Sequence, residues 1–464
     1  MNLKIGRMVV WCGNKLKQTN CKFFLAFLFL LNVPFWGIDK FTDVKQPIFN
    51  ADFALALTLF SINRTIGCTA LFFACFVDIM QVASYNYHFA SVHDFFFSWY
   101  FAPMLNWDQF ITPTLALFSI TLLIYLVAIS RVARLVKFAS RDVGLIVVVF
   151  LMLDLLNGSL AFARVDKSMM HLNINFLGSP VFNFINSKIA WHKESTVPIF
   201  AWQKAPAFDA LNEWTTSHPK KSVLIVVVES LGFFNDPVIR EVLNSALRTP
   251  SVQMRWQIEI ADEPFSGSTI YGELRTLCGL HGHYSRLTPL QAAGCIPHRL
   301  SLQGYDTFGL HGFSRKMFDR ESWWGDIGFK NKLFGSDFPL AAASCRGAFT
   351  GVCDLELINR AVDEVQIENR LVYALTLDTH LPFNGEPLTK EFRKICILRN
   401  IPEGGCVLLS AHARLLTNLT EKLVSKSERP LVIIVGDHSP PFVSKNERSL
   451  YSKNKVPLYI MRPI

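Results

Sequence analysis

Charged residues are scarce in the first 165 or so positions of this 464-residue chain, which are filled instead by long apolar runs. Runs of that kind do not build the surface of a soluble domain, and they predict a membrane anchor. A small-x-small cleavage site is also missing after "FFLAFLFLLNVPFWGI", although Lys4, Arg7, Lys15, Lys17 and Lys22 precede it. The N-terminus therefore reads as a first span rather than a removable leader. No internal repeat, low-complexity tract or interleaved basic and aromatic pattern is present. The net charge of +9 thus points to no nucleic-acid partner, and much of it flanks the apolar runs, where anionic lipid attracts it. The string "VESLG" lacks the first glycine of G-x-S-x-G, which counts against Ser230 as a serine-hydrolase nucleophile.

What is present divides the chain. Half of the residues are hydrophobic and 13% are aromatic, concentrated towards the N-terminus. The apolar runs predict about five transmembrane helices, near 23–38, 47–62, 66–81, 110–130 and 142–162. With the basic N-terminus, Arg64 and the cluster Arg131, Arg134, Lys137 and Arg141 inside, an odd count leaves everything after 165 outside the cytoplasm. Arg64 is the weak point, since 52–79 also reads as one kinked helix. The expected organisation is an anchor over 1–163, a connector with an amphipathic helix over 164–220, and an extracytoplasmic catalytic domain over 221–464. Of ten cysteines, six lie in that last part as close couples, Cys278/Cys295, Cys345/Cys353 and Cys396/Cys406. Six cysteines allow fifteen connectivities, and local pairing in an oxidising compartment is the preferred one.

"SVLIVVVES" at 222–230 reads as a strand buried on both faces, ending in an acid. The same shape returns in "RLVYALTLDTHLPF" (370–383) and "PLVIIVGDHSPPF" (430–442), with helix-like stretches between. This alternation predicts an α/β sandwich with a mostly parallel central sheet. Glu229, His380, Asp437 and His438 then fall just past strand ends, the edge where such folds bind ligands. Two carboxylates and an imidazole suit one divalent metal, zinc or manganese, with a fourth position filled otherwise.

Between those strands, "FSGSTIYGELRTLCGLHGH" (265–283) offers Ser266, Ser268 and Thr269 at the start of a helix carrying Ile270, Leu274 and Leu277 at helical spacing. A hydroxyl there meets backbone N–H groups able to hold a phosphate, and a bound cation favours its alkoxide. Thr269 fits best, with Ser266 and Ser268 as turn or cap residues. "CIPHR" (295–299) is a rival, because Cys-x-Pro-x-Arg is the kind of signature from which sulfatases make formylglycine. Against it stand the pairing of Cys295 with Cys278, His298 in place of a small residue, and one acid where a sulfatase has paired Asp residues. His281 and His283 read as polar loop residues rather than a second metal site.

In order along the chain, "VVVESLG", "SGSTIYGELRTLCG", "GLHGFSRKMFDRESWWGDIGF", "LDTHLPF" and "IIVGDHSPPF" resemble the motifs of alkaline-phosphatase-superfamily transferases with a multi-span anchor. These are phosphoethanolamine transferases, phosphoglycerol transferases and lipoteichoic acid synthases. The resemblance implies Glu229, Asp437 and His438 as metal ligands and Thr269 as the metal-bound nucleophile that becomes phosphorylated. It implies His311 and Arg320 as holders of head group and phosphate, and His380 beside the phosphate and leaving oxygen. Trp323 and Trp324 read as packing. The "H-G…F-x-R…W…G-F" block looks more like the glycerol-phosphate enzymes, the cysteine couples more like the phosphoethanolamine enzymes, which are narrowly favoured. A membrane phospholipid donor, a glycan or glycolipid acceptor, a monomer in the bacterial inner membrane and a periplasmic active site follow from the same resemblance. A sulfatase-like or phosphodiesterase hydrolase is the alternative.

Overall fold

The computed structural model describes residues 19–42, 44, 46–89, 92–111, 113–133, 148–149, 152, 177–194, 199–339, 342–383 and 385–464. The chain forms two compact units, Met1–Phe97 with Ile111–His192, and Ser98–Phe110 with Lys193–Ile464.

In the first unit, two helices among the described residues are long and apolar enough to cross a membrane, over Leu25–Thr42 and Arg64–Asn86. This corrects the count of about five. The run at 47–62 is helical only over Ala51–Ile62, about 18 Å at 1.5 Å per residue, against a hydrocarbon core of about 30 Å. Asn50 opens that helix by accepting from Asp52 N, and Asn63, in extended conformation, closes it while capping the next. Residues 52–79 are therefore two helices. The run at 110–130 lies in the helix Pro113–Ala133, where the apolar stretch Ser119–Arg131 is again short of a span. The run at 142–162 falls almost wholly outside the described residues. Leu28, Leu31 and Phe35 pack against Phe53, Leu57, Leu71 and Cys75. Phe29, Leu30, Ile66, Phe73 and Phe76 on the same helices are exposed, so these helices are apolar on more than one face.

The second unit is built on a seven-stranded sheet. Its strands are β1 (Val223–Val228), β2 (Trp256–Pro264), β3 (Asp306–His311), β4 (Asn331–Leu333), β5 (Arg370–Leu375), β6 (Leu431–Gly436) and β7 (Lys455–Pro463), in the order β2-β7-β6-β1-β5-β3-β4. β6, β1, β5, β3 and β4 pair in parallel, whereas β7 is antiparallel to both β6 and β2. The sheet is mixed, which corrects the expectation of a mostly parallel one. β2, "WQIEIADEP", is half-buried and escapes a search for uniformly apolar runs. β7 returns after β6 with only the short helix Lys445–Arg448 between them, which is no parallel crossover.

Successive side chains of a strand point to opposite faces, and β1 shows why its sequence is apolar throughout. Leu224, Val226 and Val228 enter one core with the helices α2 (Asp354–Glu364) and α3 (Glu403–Val424). Val223, Ile225 and Val227 enter the other with the helix α1 (Thr269–Cys278), Trp323 and Trp324. The α/β sandwich thus has helices on both faces. Register then brings strand ends together: Val228 pairs with Gly436, Val227 with Leu375, and Leu375 with His311.

Candidate metal centre and nucleophile

Because Val228 and Gly436 are in register, the residues that follow them, Glu229 and Asp437, emerge side by side with His438. All three are buried, and one ligand atom from each lies within 4.8 Å of the others. His438 Nδ1 is 2.9 Å from Ser439 O, which makes Nδ1 a donor. Nε2 faces carboxylates, 3.2 Å from Asp437 Oδ2 and 3.7 Å from Glu229 Oε1. Asp437 Oδ2 is a buried oxygen without a hydrogen-bond donor. Burial first, and the Asp437 charge second, push the Glu229 carboxyl well above the usual carboxylate range. Two carboxylates and an imidazole converging in a buried place form a donor set that a divalent cation fits.

Thr269 is the first residue of α1. Its Oγ1 stands 3.3 Å from both Glu229 Oε2 and His438 Nε2. Ser268 is the N-cap by position, yet its hydroxyl makes no capping bond. Gly267, at φ +87°, turns the chain into the helix, and a Cβ there would collide with the Tyr271 ring. One turn on, a Cβ at Gly272 would come 3.0 Å from Asp437 Cα, so the glycine lets α1 lie against the ligand strand.

Hydrogen bonds to backbone and side chain hold Glu229 and Asp437 in place. Glu229 N donates to Thr376 Oγ1 (2.8 Å), and Glu229 O accepts from Thr379 Oγ1 (2.6 Å) and contacts His412 Nε2 (3.1 Å). Asp437 Oδ1 accepts from Ser230 N (2.8 Å) and His438 N (2.7 Å). Ser230 makes the first of these bonds from a left-handed conformation, φ +56°, and its Oγ donates to Glu229 Oε1. Ser230 therefore holds ligands. Arg275 is buried beneath the β6 end, donating to Gly436 O at 2.7 Å and Asp437 O at 3.3 Å.

His311 ends β3 with Nδ1 3.0 Å from Leu375 O and Nε2 buried without a partner. Burial, and then the Arg320 charge, push its pKa down to about 3. A titration of ¹³C-labelled histidine by NMR is expected to leave the His311 ring unmoved from pH 8 to 5, across the range where an unperturbed imidazole, pKa about 6.5, takes its proton. Arg320 is no surface charge. Its Nε and Nη2 donate to Glu273 Oε1 at 3.0 and 2.7 Å, and Trp324 Nε1 donates to Glu273 Oε2 at 3.0 Å. His380 is half-buried, with its pKa pushed to about 4 by loss of solvent around the ring first and by His438 second, and its ring lies edge-on to Phe349 at 5.0 Å.

Among the described residues the structure brings Glu229, Thr269, Asp437 and His438 into one cluster, and His281 and His283 join no metal-binding group. His283 Nδ1 is 2.8 Å from Ser285 Oγ, and His281 stands between Trp202 and Tyr271. Cys278–Cys295, Cys345–Cys353 and Cys396–Cys406 are disulfides, so Cys295 offers no thiol for formylglycine. Sequence reasoning missed Glu273, Thr376, Thr379 and His412. Only Glu273 had a signal, since it lies four residues after Thr269 and so on the same helical face.

No protein-family model matches the chain, and none of the curated proteins does. Solved structures similar to it include an alkaline phosphatase superfamily protein from Vibrio parahaemolyticus, 17% identical over 53% of this chain and 60% of that one, TM-score 0.37. The phosphoglycerol transferase GacH of Streptococcus pyogenes, in complex with sn-glycerol-1-phosphate, is 16% identical over 57% and 78%, TM-score 0.35. The C-terminal periplasmic domain of EcEptC from Escherichia coli, in complex with Zn, is 11% identical over 53% and 74%, TM-score 0.36. The chain spans less than two thirds of the first of these. At such scores the likeness decides no activity, and the site stands on its own geometry. The solved structures to which this chain is similar thus include members of the alkaline phosphatase superfamily, the family its motifs resemble.

Proposed function

We propose that this chain is a metal-dependent phosphotransferase that moves a phospho-alcohol head group from a membrane phospholipid to a hydroxyl on a cell-envelope glycan or glycolipid, by way of a phosphorylated Thr269. The supporting observation is the placing of Thr269 Oγ1 3.3 Å from two members of a buried cluster of two carboxylates and an imidazole. Glu229, Asp437, His438 and Thr269 would hold the ion, zinc by preference and manganese second, from their oxygen and imidazole donors. When bound, such an ion favours the threonine alkoxide and offsets charge building on the phosphoryl oxygens.

The residues then divide the work. Thr269 Oγ attacks phosphorus at the helix N-terminus, and the bond from phosphorus to the diacylglycerol oxygen breaks. Diacylglycerol leaves with the proton, and the head group stays on Thr269 as a diester. An acceptor hydroxyl attacks the same phosphorus from the vacated side, its proton returning to Thr269. Such in-line transfer depends on positioning and charge more than on covalent help. His380 stands on the leaving-oxygen side, and Arg320, oriented by Glu273, towards the phosphate. With its proton on Nδ1, His311 Nε2 accepts rather than donates, which suits the ammonium of phosphoethanolamine, the favoured group, or a hydroxyl of glycerol phosphate. The two long apolar helices support an inner-membrane anchor, and the three disulfides support a periplasmic catalytic unit.

The test is incubation with fluorescent phosphatidylethanolamine and, separately, phosphatidylglycerol, reading diacylglycerol release and a mass adduct on the Thr269 peptide. Turnover of neither lipid with metal present sinks the reading; release without any adduct favours a direct hydrolase. Chelation is expected to abolish release, by about 10² or more, since the metal both activates the nucleophile and stabilises the transition state. Zinc should restore it, and side-by-side addition of manganese ranks the two ions.

A further inference from the structure

Residues Ser98–Phe110 belong to the second unit although the chain on either side of them, up to Phe97 and from Ile111, belongs to the first. Three kinds of contact seat this strap. Phe101, 2% exposed, is buried in a cluster with Met317, Ala348, Phe349 and Leu377, and its ring lies 5.1 Å from Phe318. Asn106 binds the 347–350 turn three times: its N donates to Ala348 O (3.0 Å), and its Nδ2 to Gly347 O (2.8 Å) and Thr350 Oγ1 (2.9 Å). At the rim, Asp108 pairs with Arg346 at 2.9 Å, an exposed pair that contributes little.

Two aromatic partners of the strap border groups of the proposed site. Phe349 meets the His380 ring edge-on at 5.0 Å. Phe318 lies under the Arg320 guanidinium at 5.4 Å. Phe349 also sits in the turn of a hairpin, Ser344–Arg346 against Thr350–Val352, whose base is closed by Cys345–Cys353. The disulfide fixes one end of this hairpin and Asn106 the other. Close-packed groups transmit displacement rather than absorb it, so a shift of the Phe349 ring is passed on to the half-buried His380 ring lying against it.

We propose that Ser98–Phe110 is a wall of the active site, in which Phe101 and Asn106 are positioning residues that set the His380 ring through Phe349. What His380 then does rests on the phosphotransferase reading above; that the strap sets its ring does not. The experiment uses the full chain with zinc, comparing Phe101→Ala, Asn106→Ala and Phe101→Leu. In the two alanine variants kcat for lipid release is expected to fall about tenfold, with KM and zinc affinity within about twofold, the cost of a misplaced group rather than of lost binding. Phe101→Leu, which refills the cluster, should return most of the rate. The ¹³C ring resonances of His380, assigned with His380→Gln, should move in the alanine variants while those of His438 stay in place.

Unmoved His380 resonances and an unchanged kcat in both alanine variants overturn the proposal. So does a loss accompanied by equal movement of His438 and of zinc affinity, which marks general loosening. The resonances need no turnover. If the wild-type chain turns over no phosphodiester, they still decide whether the strap positions His380, and it is the functional reading that falls.

Discussion

Thr269→Ala is expected to remove the covalent adduct altogether and to reduce diacylglycerol release by on the order of 10⁴ to 10⁶, the scale seen when the nucleophile of a concerted catalytic unit is deleted. The reason is geometric. Among the described residues, Thr269 Oγ1 is the one hydroxyl that meets both Glu229 Oε2 and His438 Nε2, each at 3.3 Å. Ser230 Oγ is engaged with Glu229 Oε1. Thr269→Ser keeps the oxygen and should retain measurable turnover and an adduct of the same mass increment. Zinc stoichiometry should survive in Thr269→Ala, because Glu229, Asp437 and His438 remain. Two results would overturn the assignment: undiminished release from Thr269→Ala, or an abolished reaction in Cys295→Ser at intact folding.

Arg275→Met is expected to produce the largest loss of stability of any single substitution in the second unit. Arg275 and Glu263 are both buried, with Nε and Oε1 3.4 Å apart, and Arg275 also donates to Gly436 O, Asp437 O and Pro264 O. Breaking a buried pair from one side costs about 3–5 kcal/mol, since the remaining charge is uncompensated. That is about 6–20 °C in melting temperature for a unit of this size. The cost should depend on pH in a defined direction. Burial already lifts Glu263 to about 7 with Arg275 beside it, and without the cation it rises further. A carboxyl whose pKa is raised by folding binds its proton more tightly folded than unfolded, so stability falls from the unfolded pKa, about 4.3, up to the folded one, which is about 7 in the wild type and higher in the variant. The variant's deficit should therefore widen from pH 6 to 8, by at most about 1.4 kcal/mol per unit for one proton. Arg275→Met with Glu263→Leu should recover much of the loss. A deficit that narrows towards pH 8, or no recovery in the double variant, contradicts this account.

The cluster of Glu229, Asp437 and His438 was legible because its signal is local. A strand buried on both faces must be apolar along its length, so the acid that ends "LIVVVE" and the pair that ends "VIIVGDH" stand out. Thr269 was legible for the same reason, as a hydroxyl where helical periodicity begins. Glu273 was not singled out: an acid inside a helix usually faces water, and its burial depends on Arg320 and Trp324, 47 and 51 residues away. Thr376, Thr379 and His412 act on the peptide of Glu229 from β5, its following turn and α3, a relation that only the folded chain creates. The spans were overcounted because an apolar run need not be a helix of spanning length: 47–62 is helical only over Ala51–Ile62, and the apolar part of the helix in 110–130 is only Ser119–Arg131. The sheet was read as too parallel because β2 alternates and carries charges, and so resembles no buried strand.

The strap also bears on how this protein is made. Asn106 and Gly347 are 241 positions apart, and at about 5–20 residues per second of synthesis the ribosome delivers the second of them some 12 to 48 seconds after the first. For that interval Phe101 lacks Phe349. The second unit is consequently not a cassette that begins at Lys193. Exchange of that stretch between related chains would hand the newcomer a foreign wall, and a functional chimaera should have to carry both pieces together.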